Sequence, residues 1–274
     1  MDNKDFSNWL VVSDVDGTLN NKLRFLPKQN LDEINRFVLD YNGHFTLASG
    51  RNPKSIRKHF EKLPIKNTPA VVLNGAGVYD FQKDKMVYFN PINEIGVQNI
   101  IKIIKKFPQV ETEIITDKEA FYYNSRVVLP VMEKVNKLPF TKFKNIYDIP
   151  KENWGKVVFY GLPNTVSKLK EYALNIDNSK LNFMSSSISS FEVLNEGTHK
   201  GTALMKIAEI LNIDYENTAA IGDYFNDYDM LKTVNLSACC GQAPKEIQQI
   251  VKYHACHCNK GAVGDLLRYI MENY

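Results

Sequence analysis

Short apolar runs alternate with amphipathic stretches in the first third of the chain. Runs at residues 9–13, 45–48 and 70–73 predict buried strands, and each run is followed by polar or glycine residues. Apolar residues at helical spacing follow Pro27 and Pro53, so a helix is predicted after each of the first two strands. Strand, helix, strand, helix, strand is the order that builds a parallel α/β sheet.

The C-terminal part repeats this order. Its predicted elements are a helix at 201–211, a strand at 218–221, a short helix near 229–231, a strand at 236–239, a helix that starts at Pro244 and a last helix at about 263–270. The two ends of the chain together predict an α/β fold with a Rossmann-like parallel-sheet core, formed by residues 1–83 and 189–274.

The middle of the chain has a different pattern. Two apolar runs around a polar turn predict a hairpin at 78–81 and 86–89. Further helices are predicted at 100–107 and 129–137, and further strands at 110–115, 157–160 and 181–184. This mixed order predicts an α+β insertion over residues 84–188.

Composition and charge argue against several other classes. The 34 basic and 31 acidic side chains of the 274 residues give a formal net charge of +3, without the basic stripe of a nucleic-acid binder. No apolar run approaches the roughly 20 residues needed to span a membrane, and the N-terminus lacks the residue order of a signal peptide. We therefore expect a cytoplasmic protein with reduced thiols. Cys256, His257 and Cys258 lack the usual spacing of zinc ligands, so we expect no zinc there.

Four polar clusters end, or closely follow, predicted strands, and open α/β sheets bind ligands at the carboxyl ends of their strands. The first cluster contains Asp14 and Asp16. Both carboxylates can approach one Mg²⁺, which prefers oxygen ligands. Asp14 can attack phosphorus, Asp16 can donate and accept a proton, and Gly17 permits a sharp turn. The alternative is an ordinary surface turn, where Asp and Gly are common.

The second and third clusters supply hydroxyl, backbone and basic groups. Ser49, Gly50 and Arg51 can hold phosphoryl oxygens through a hydroxyl and backbone N–H groups. Lys200, at the start of a predicted helix, can neutralise both a phosphoryl group and a carboxylate. A simple loop and a solvated lysine are the ordinary alternatives.

The fourth cluster is acidic. Asp223 and Asp227 can complete a magnesium site, with Asn226 orienting Asp223 or Lys200. The alternative is an acidic helix cap. The four clusters nevertheless occur in one order, each at its expected place in an α/β pattern, which favours a shared site.

The stretches DVDGTL, LASGR, THKG and GDYFND contain these clusters and resemble the four motifs of the haloacid dehalogenase-like hydrolase superfamily. The chain is most similar to its Cof-type subfamily, subclass IIB, which includes many sugar-phosphate phosphatases. The subfamily's NGA step is present as Asn74-Gly75-Ala76. The resemblance covers nearly the whole chain and implies a catalytic core interrupted by a cap domain, residues 84–188, that determines substrate specificity.

The resemblance also implies a role for each motif residue. Asp14 matches the nucleophile, Asp16 the general acid/base and Lys200 the charge-neutralising lysine. The implied Mg²⁺ ligands are Asp14, Asp16 through its carbonyl, Asp223, and Asp227 directly or through water. The residues expected to bind the substrate or its phosphate are Thr18, Ser49, Gly50, Arg51, Asn74, Gly75 and Asn226.

The predicted function is a Mg²⁺-dependent phosphatase that hydrolyses a small phosphorylated metabolite through an aspartyl-phosphate. A sugar phosphate, pyridoxal phosphate or a flavin phosphate would suit, and the bulky pair Tyr224 and Phe225 leaves the substrate's size open. The nearest alternative is a phosphomutase on the same core, and a more distant one is a binding module that keeps the metal site. A nucleotide-binding dehydrogenase is not supported, because no G-x-G-x-x-G follows the first strand.

Overall fold

The computed structural model describes residues 4–176 and 180–274, and the chain divides into two compact units. The first unit comprises Met1–Gly50, Ile56–Tyr88 and His199–Tyr274. The second comprises Arg51–Ser55 and Phe89–Thr198. Within the described residues, no helix is both long enough and apolar enough to cross a membrane.

The strands of the described residues form two sheets. In chain order they are β1 (Leu10–Asp14), β2 (His44–Ala48), β3 (Ala70–Val72), β4 (Gly77–Asp80), β5 (Lys85–Phe89), β6 (Glu111–Ile115), β7 (Ala120–Tyr123), β8 (Phe140–Phe143), β9 (Lys156–Tyr160), β10 (Leu181–Ser187), β11 (Ser190–Asn195), β12 (Thr218–Gly222), β13 (Leu236–Cys239) and β14 (Tyr253–His254).

The α-helices alternate with these strands. They are α1 (Lys28–Asn35), α2 (Pro53–Phe60), α3 (Glu94–Lys106), α4 (Val128–Asn136), α5 (Pro163–Asn175), α6 (Lys200–Leu211), α7 (Tyr228–Thr233), α8 (Lys245–Gln248) and α9 (Ala262–Asn273).

The first unit is built on an eight-stranded sheet with the order β14-β13-β12-β1-β2-β3-β4-β5. Every neighbouring pair from β14 to β3 is parallel, and β4 is antiparallel to β3. In β1, Ser13 pairs with Ile221 of β12 and Asp14 pairs with Ala48 of β2. The carboxyl ends of these strands therefore lie level, and the segments that follow them emerge at one edge. The predicted α/β parallel-sheet core is confirmed.

One buried apolar cluster of the first unit lies between this sheet and α6. Its buried apolar side chains include Leu10 and Val12 of β1, Ala220 of β12, and Leu204 and Ile207 of α6. Burying each leucine or isoleucine contributes about 1.5–3 kcal/mol. This packing fixes the helix that begins with Lys200 against the two strands that carry the acidic clusters.

The second unit contains a six-stranded sheet with the order β10-β11-β9-β6-β7-β8. All pairs are antiparallel except β7 and β8, which are parallel and are connected by α4. One face of the sheet packs in an apolar cluster with residues of α3 and α5, among them Ile100, Leu169, Phe159 and Phe191. This is the α+β architecture expected for the middle of the chain.

The opposite face of this sheet carries buried charged groups, because side chains alternate along a strand. Lys156 Nζ lies 3.2 Å from Glu192 Oε2. The Tyr160 hydroxyl donates to Glu113 Oε2 at 2.9 Å. Burial raises the pKa of Tyr160, and the Glu113 carboxylate raises it further, so the tyrosine is held as a neutral donor.

Glu111 of β6 fixes the loop that leads into α4. Its carboxylate accepts hydrogen bonds from the backbone N–H groups of Arg126, Val127, Val128 and Leu129, at 2.8 to 3.0 Å. Burial opposes ionisation of this carboxyl, but the four donors outweigh it and hold the pKa of Glu111 below its usual value. One anion thus satisfies N–H groups that an α-helix cannot pair internally at its start.

Candidate active site

The predicted acidic and basic clusters lie along the carboxyl edge of the first unit's parallel strands. Asp14 is the last residue of β1, Ser49 follows β2, and Asp223 follows β12. Helix α6 begins at Lys200. Ligands bind at this edge in parallel α/β sheets, so the fold places the predicted chemistry where a substrate can reach it.

Lys200 is the centre of a buried cluster of ion pairs. Its Nζ lies 2.6 Å from Asp14 Oδ1 and 2.7 Å from Asp227 Oδ1, and its side chain is 0% exposed. Burial alone disfavours the ammonium, but the charges of Asp14 and Asp227 outweigh this and raise the pKa of Lys200. The lysine is therefore charged, and it fixes the orientation of both carboxylates.

His199 and Gly75 fix the start of α6. His199 N–H donates to Thr202 Oγ1 at 3.2 Å, and Thr202 N–H donates to His199 Nδ1 at 3.3 Å, which gives a reciprocal helix cap. Gly75 has φ +101°, and a Cβ atom there would lie 2.1 Å from the His199 carbonyl oxygen. Only glycine allows this approach. Gly75 therefore supports the helix end that carries Lys200.

Asp14 is almost completely buried beside Lys200, with 6% of its surface exposed. Burial raises the pKa of Asp14 to about 7; the Lys200 ammonium opposes this shift, and the negative charge of Asp227 adds to it. The Ser13 hydroxyl donates to the Asp14 carbonyl oxygen at 2.6 Å and holds the backbone at the end of β1. The Asp14 carboxylate is therefore rigid and would be stabilised by further positive charge.

Asp227 is fully buried and has contacts on both carboxylate oxygens. Oδ1 faces Lys200, and Oδ2 accepts the backbone N–H groups of Asp223 at 3.0 Å and Tyr224 at 3.3 Å. A Cβ atom at Gly222 would lie 2.5 Å from the Asp227 side chain, so this residue leaves space for the carboxylate. Asp227 thus holds the loop after β12 in the shape that presents Asp223.

Asp223 is held by a threonine side chain. Thr18 Oγ1 donates to Asp223 Oδ1 at 3.3 Å. Burial raises the pKa of Asp223 to about 6, the charge of Asp227 adds to this, and the Gln242 and Thr18 donors oppose it. Gly17 has φ +91°, and a Cβ there would lie 2.5 Å from Asp223 Oδ2. The turn after β1, which contains Gly17 and Thr18, therefore packs directly against Asp223.

Gln242 is a site residue that the sequence reasoning missed. Its Nε2 donates to the Gly17 carbonyl oxygen at 2.7 Å, and its Oε1 accepts the Cys258 N–H at 3.0 Å. This one amide therefore links the loop after β1, the loop after β13 and the backbone at Cys258. Gln242 follows β13, so the strand-end rule that selected the other clusters also applies to it.

The donor set fits a hard divalent cation. Asp14, Asp223 and Asp227 each offer a carboxylate oxygen, and these atoms lie within 4.8 Å of one another. The Lys200 ammonium pairs with Asp14 and Asp227 but not with Asp223, so the three acidic groups leave an excess of negative charge. An all-oxygen set is what Mg²⁺ prefers in proteins, so the residues present suit the metal that the sequence predicted.

Asp16 differs from Asp14 in its environment. It is exposed, and its backbone pairs with Asn20 in an isolated bridge after β1. Asp14 is buried and Asp16 is exposed, so the two carboxylates differ in their access to water and to protons. Such a difference in environment allows two carboxylates in one site to have different roles.

Ser49, Gly50 and Asn74 are packed together at the ends of β2 and β3. Asn74 N–H donates to the Ser49 carbonyl oxygen at 3.0 Å, and a Cβ atom at Gly50 would lie 2.9 Å from the Asn74 amide. Strand β3 ends at Val72, one residue earlier than predicted, because Leu73–Gly75 form a helical turn with Asn74 at φ 54°. The turn brings the Asn74 side chain against Gly50.

Arg51 and Asn226 are the remaining residues for which the sequence predicted a substrate-binding role. Arg51 belongs to the second unit, and Asn226 lies half-buried in the helical turn Phe225–Asp227. The rings of Tyr224 and Phe225 are 51% and 49% exposed and meet edge to face at 5.1 Å. The substrate-binding roles of Arg51 and Asn226 stay predictions.

Comparisons with known proteins agree with the motifs. The family model that describes haloacid dehalogenase-like hydrolases matches residues 11–267. The Bacillus subtilis phosphatase YwpJ is 23% identical over an alignment that covers 96% of this chain and 99% of that protein.

Solved structures share the fold. A haloacid dehalogenase-like hydrolase from Bacteroides thetaiotaomicron matches with a TM-score of 0.82 at 20% identity, covering 96% of this chain and 99% of that one. A sugar phosphatase of subclass IIB of the same superfamily matches with a TM-score of 0.77 at 14% identity, also covering 96% and 99%. The resemblance inferred from the four motifs is thereby confirmed.

Proposed function

The chain belongs to the haloacid dehalogenase-like hydrolase family, and from this premise we propose that it is a Mg²⁺-dependent phosphatase acting on a small phosphorylated metabolite. A sugar phosphate or a similar monoester is the expected substrate, and an aspartyl-phosphate on Asp14 the expected intermediate. The observation that carries the proposal is the buried Asp14 carboxylate, fixed by Lys200 at 2.6 Å within a cluster of three acidic groups.

The enzyme class expected from the sequence, a phosphoric monoester hydrolase, is confirmed by the family and by the phosphatase names of its relatives. The substrate, the metal and the intermediate are the parts that belong to the proposal. So is the role of residues 84–188 as the cap that selects the leaving group, which the family resemblance suggests.

The first step would be an attack of Asp14 on the phosphorus atom. Lys200 contacts Oδ1, so we assign the attack to Oδ2. A bond forms between Oδ2 and phosphorus, the bond from phosphorus to the leaving oxygen breaks, and the carboxyl group of Asp16 gives that oxygen its proton. The exposed position of Asp16 suits this exchange with substrate and water.

The second step would regenerate the carboxylate of Asp14. Asp16, now ionised, accepts a proton from a water molecule whose oxygen attacks phosphorus. The bond between phosphorus and Asp14 breaks, inorganic phosphate leaves, and Asp16 is again protonated. In both steps the Lys200 ammonium balances charge at Asp14 and at the transferred group.

Asp14, Asp223 and Asp227 would hold the Mg²⁺ ion, together with the Asp16 carbonyl that the resemblance implies. When bound, the ion supplies positive charge beside the phosphoryl oxygens, which is a large part of catalysis in phosphoryl transfer. Thr18 orients Asp223, and two backbone N–H groups orient Asp227.

We also propose a cytoplasmic location. Cys239, Cys240, Cys256 and Cys258 are all free thiols. Thiols persist in reducing compartments.

The test is phosphate release from a generic aryl phosphate with Mg²⁺ and then with a chelator. Asp14→Asn is the matched control, because it keeps the shape of the side chain and removes the nucleophile. We expect Mg²⁺-dependent release by the wild type and no measurable turnover by Asp14→Asn. Substantial turnover by the variant would exclude Asp14 as the nucleophile, and an isomerised sugar phosphate without release of phosphate would identify a mutase.

A further inference from the structure

We propose that the second unit contains a binding site for an organic phosphate with a planar ring, the chemical class of a mononucleotide. The site is a cavity of about 430 Å³, lined by the ends of β7 and β8 and by the loop after β7. The proposal is independent of the phosphatase activity proposed above, because all lining residues lie within residues 122–144 of the second unit.

The cavity lies at the carboxyl ends of two neighbouring parallel strands. β7 ends at Tyr123, β8 ends at Phe143, and α4 connects the two strands. Strand, helix and parallel strand form the unit at whose carboxyl edge α/β proteins bind ligands. The volume also falls within the range of about 300–1,000 Å³ that is typical of small-molecule sites.

The lining is cationic. Arg126, Lys142 and Lys144 all border the cavity. Lys142 pairs with Glu133 at 2.6 Å. In the part of the chain that the structure describes, neither the Arg126 guanidinium nor the Lys144 ammonium has a carboxylate partner. A planar guanidinium and a point-like ammonium together suit a phosphate group.

The loop that carries Ser125 and Arg126 is already fixed. Asn124 Nδ2 donates to the carbonyl oxygens of Pro108 and Val110, both at 2.9 Å. Glu111 accepts the backbone N–H of Arg126 at 2.9 Å. The nearby Glu111 charge is thus engaged by backbone donors, which reduces its repulsion of an anion, and a ligand would bind with little ordering of the loop.

The remaining lining is aromatic and favours an organic ligand over inorganic phosphate. Tyr122, Tyr123 and Phe143 border the cavity. Tyr122 is 1% exposed and stacks on Phe140, so it closes the wall from behind. Tyr123 and Phe143 are half-buried, and a planar ring can pack against their exposed surface, whereas inorganic phosphate cannot.

The experiment is titration calorimetry with AMP as the probe, in chelator and on Asp14→Asn, so that the phosphatase reaction cannot consume the probe. We expect AMP to bind, adenosine to bind more weakly, and Arg126→Ala and Lys144→Ala each to weaken AMP binding by about tenfold. Lys118→Ala is the matched control, because Lys118 is exposed in the turn before β7, away from the cavity, and should leave the affinity unchanged.

Three results would overturn the proposal: no AMP binding at millimolar probe, adenosine binding as tightly as AMP, or unchanged affinity in both cavity variants. Arg126→Ala should fold, since Glu111 uses only the backbone of Arg126, and its thermal unfolding checks this. Amide exchange gives a second readout, with AMP expected to protect residues 122–126 and 142–144. Because no arm measures phosphate release, these outcomes do not depend on the proposed phosphatase activity.

Discussion

Replacement of Lys200 by methionine removes the ammonium that lies between two buried carboxylates. Methionine fills a similar space, so the change acts mainly through charge. The Lys200 side chain is 0% exposed, and its Nζ lies 2.6 Å from Asp14 Oδ1 and 2.7 Å from Asp227 Oδ1. When the ammonium is removed, the two carboxylates face each other away from water. Breaking a buried ion pair by removing one partner costs about 3–5 kcal/mol.

This cost predicts a large fall in thermal stability. At about 2–4 °C per kcal/mol for a unit of this size, the melting temperature of Lys200→Met should fall by about 6–20 °C. The measurement is thermal unfolding followed by circular dichroism in a metal chelator. Lys206→Met on the same helix is the control, because the Lys206–Glu209 pair is at the surface, with 44% and 69% of the side chains exposed, and should change stability little.

A second substitution separates charge from packing. If unpaired charge causes the loss of stability, the double variant Lys200→Met/Asp227→Asn should be more stable than Lys200→Met alone. The interaction free energy between the two substitutions should be about 1–3 kcal/mol. A melting temperature of Lys200→Met equal to that of the Lys206→Met control would refute the reasoning. The Lys200 ammonium would then contribute no net stability to the buried cluster.

Three further substitutions test contacts that fix the site and the second unit. Gln242→Leu removes the donor to the carbonyl oxygen of Gly17, which packs against Asp223, and should weaken Mg²⁺ binding by about 10–100-fold in titration calorimetry; unchanged affinity would contradict the orienting role. Gly75→Ala places a Cβ 2.1 Å from the His199 carbonyl oxygen and should cost about 1–3 kcal/mol in urea unfolding, and a variant as stable as the wild type would show that the loop can move. Glu111→Gln should also cost about 1–3 kcal/mol near pH 7. The pKa of Glu111 is lowered in the fold, so the stabilisation by its carboxylate is fully present above the usual pKa and is lost as pH falls through the lowered value. The difference in unfolding free energy between wild type and Glu111→Gln should therefore disappear in acid. A difference that does not change with pH would disprove this.

The first unit was predictable because its signals are local. The apolar run at residues 9–13 is followed by acidic residues and glycine, and the strand observed is Leu10–Asp14.

The elements of the second unit were harder to predict from the sequence. Strands β7 and β8 have four residues each, and three of the four in β8 are exposed, so neither has a run of buried residues long enough to recognise. Helix α5 buries only Val166, Leu169 and Ala173 among polar neighbours.

The sequence predicted which motifs form the site, but it did not predict the contacts between their residues. Polar residues directly after apolar strands identified Asp14 and Asp223, which the structure places in one cluster. Sequence could not show that Gly75 is required by the His199 carbonyl, because the two segments meet only in the fold. Gln242 was missed for the same reason, since its bond to Gly17 spans 225 residues and a neutral amide after a strand carries no charge that indicates chemistry.

The contacts of the three carboxylates distinguish a catalytic arrangement from a structural one. Asp14 is held by Lys200, Asp227 by Lys200 and two backbone N–H groups, and Asp223 by Thr18. Protein groups therefore set the positions of the oxygens, while the charge stays unbalanced, because the one ammonium pairs with two of the three acidic groups. A buried cluster that served only stability would be neutral, because unpaired buried charge is costly. An arrangement that is rigid and yet lacks positive charge is suited to bind a cation, and through it a phosphoryl group, with little reorganisation.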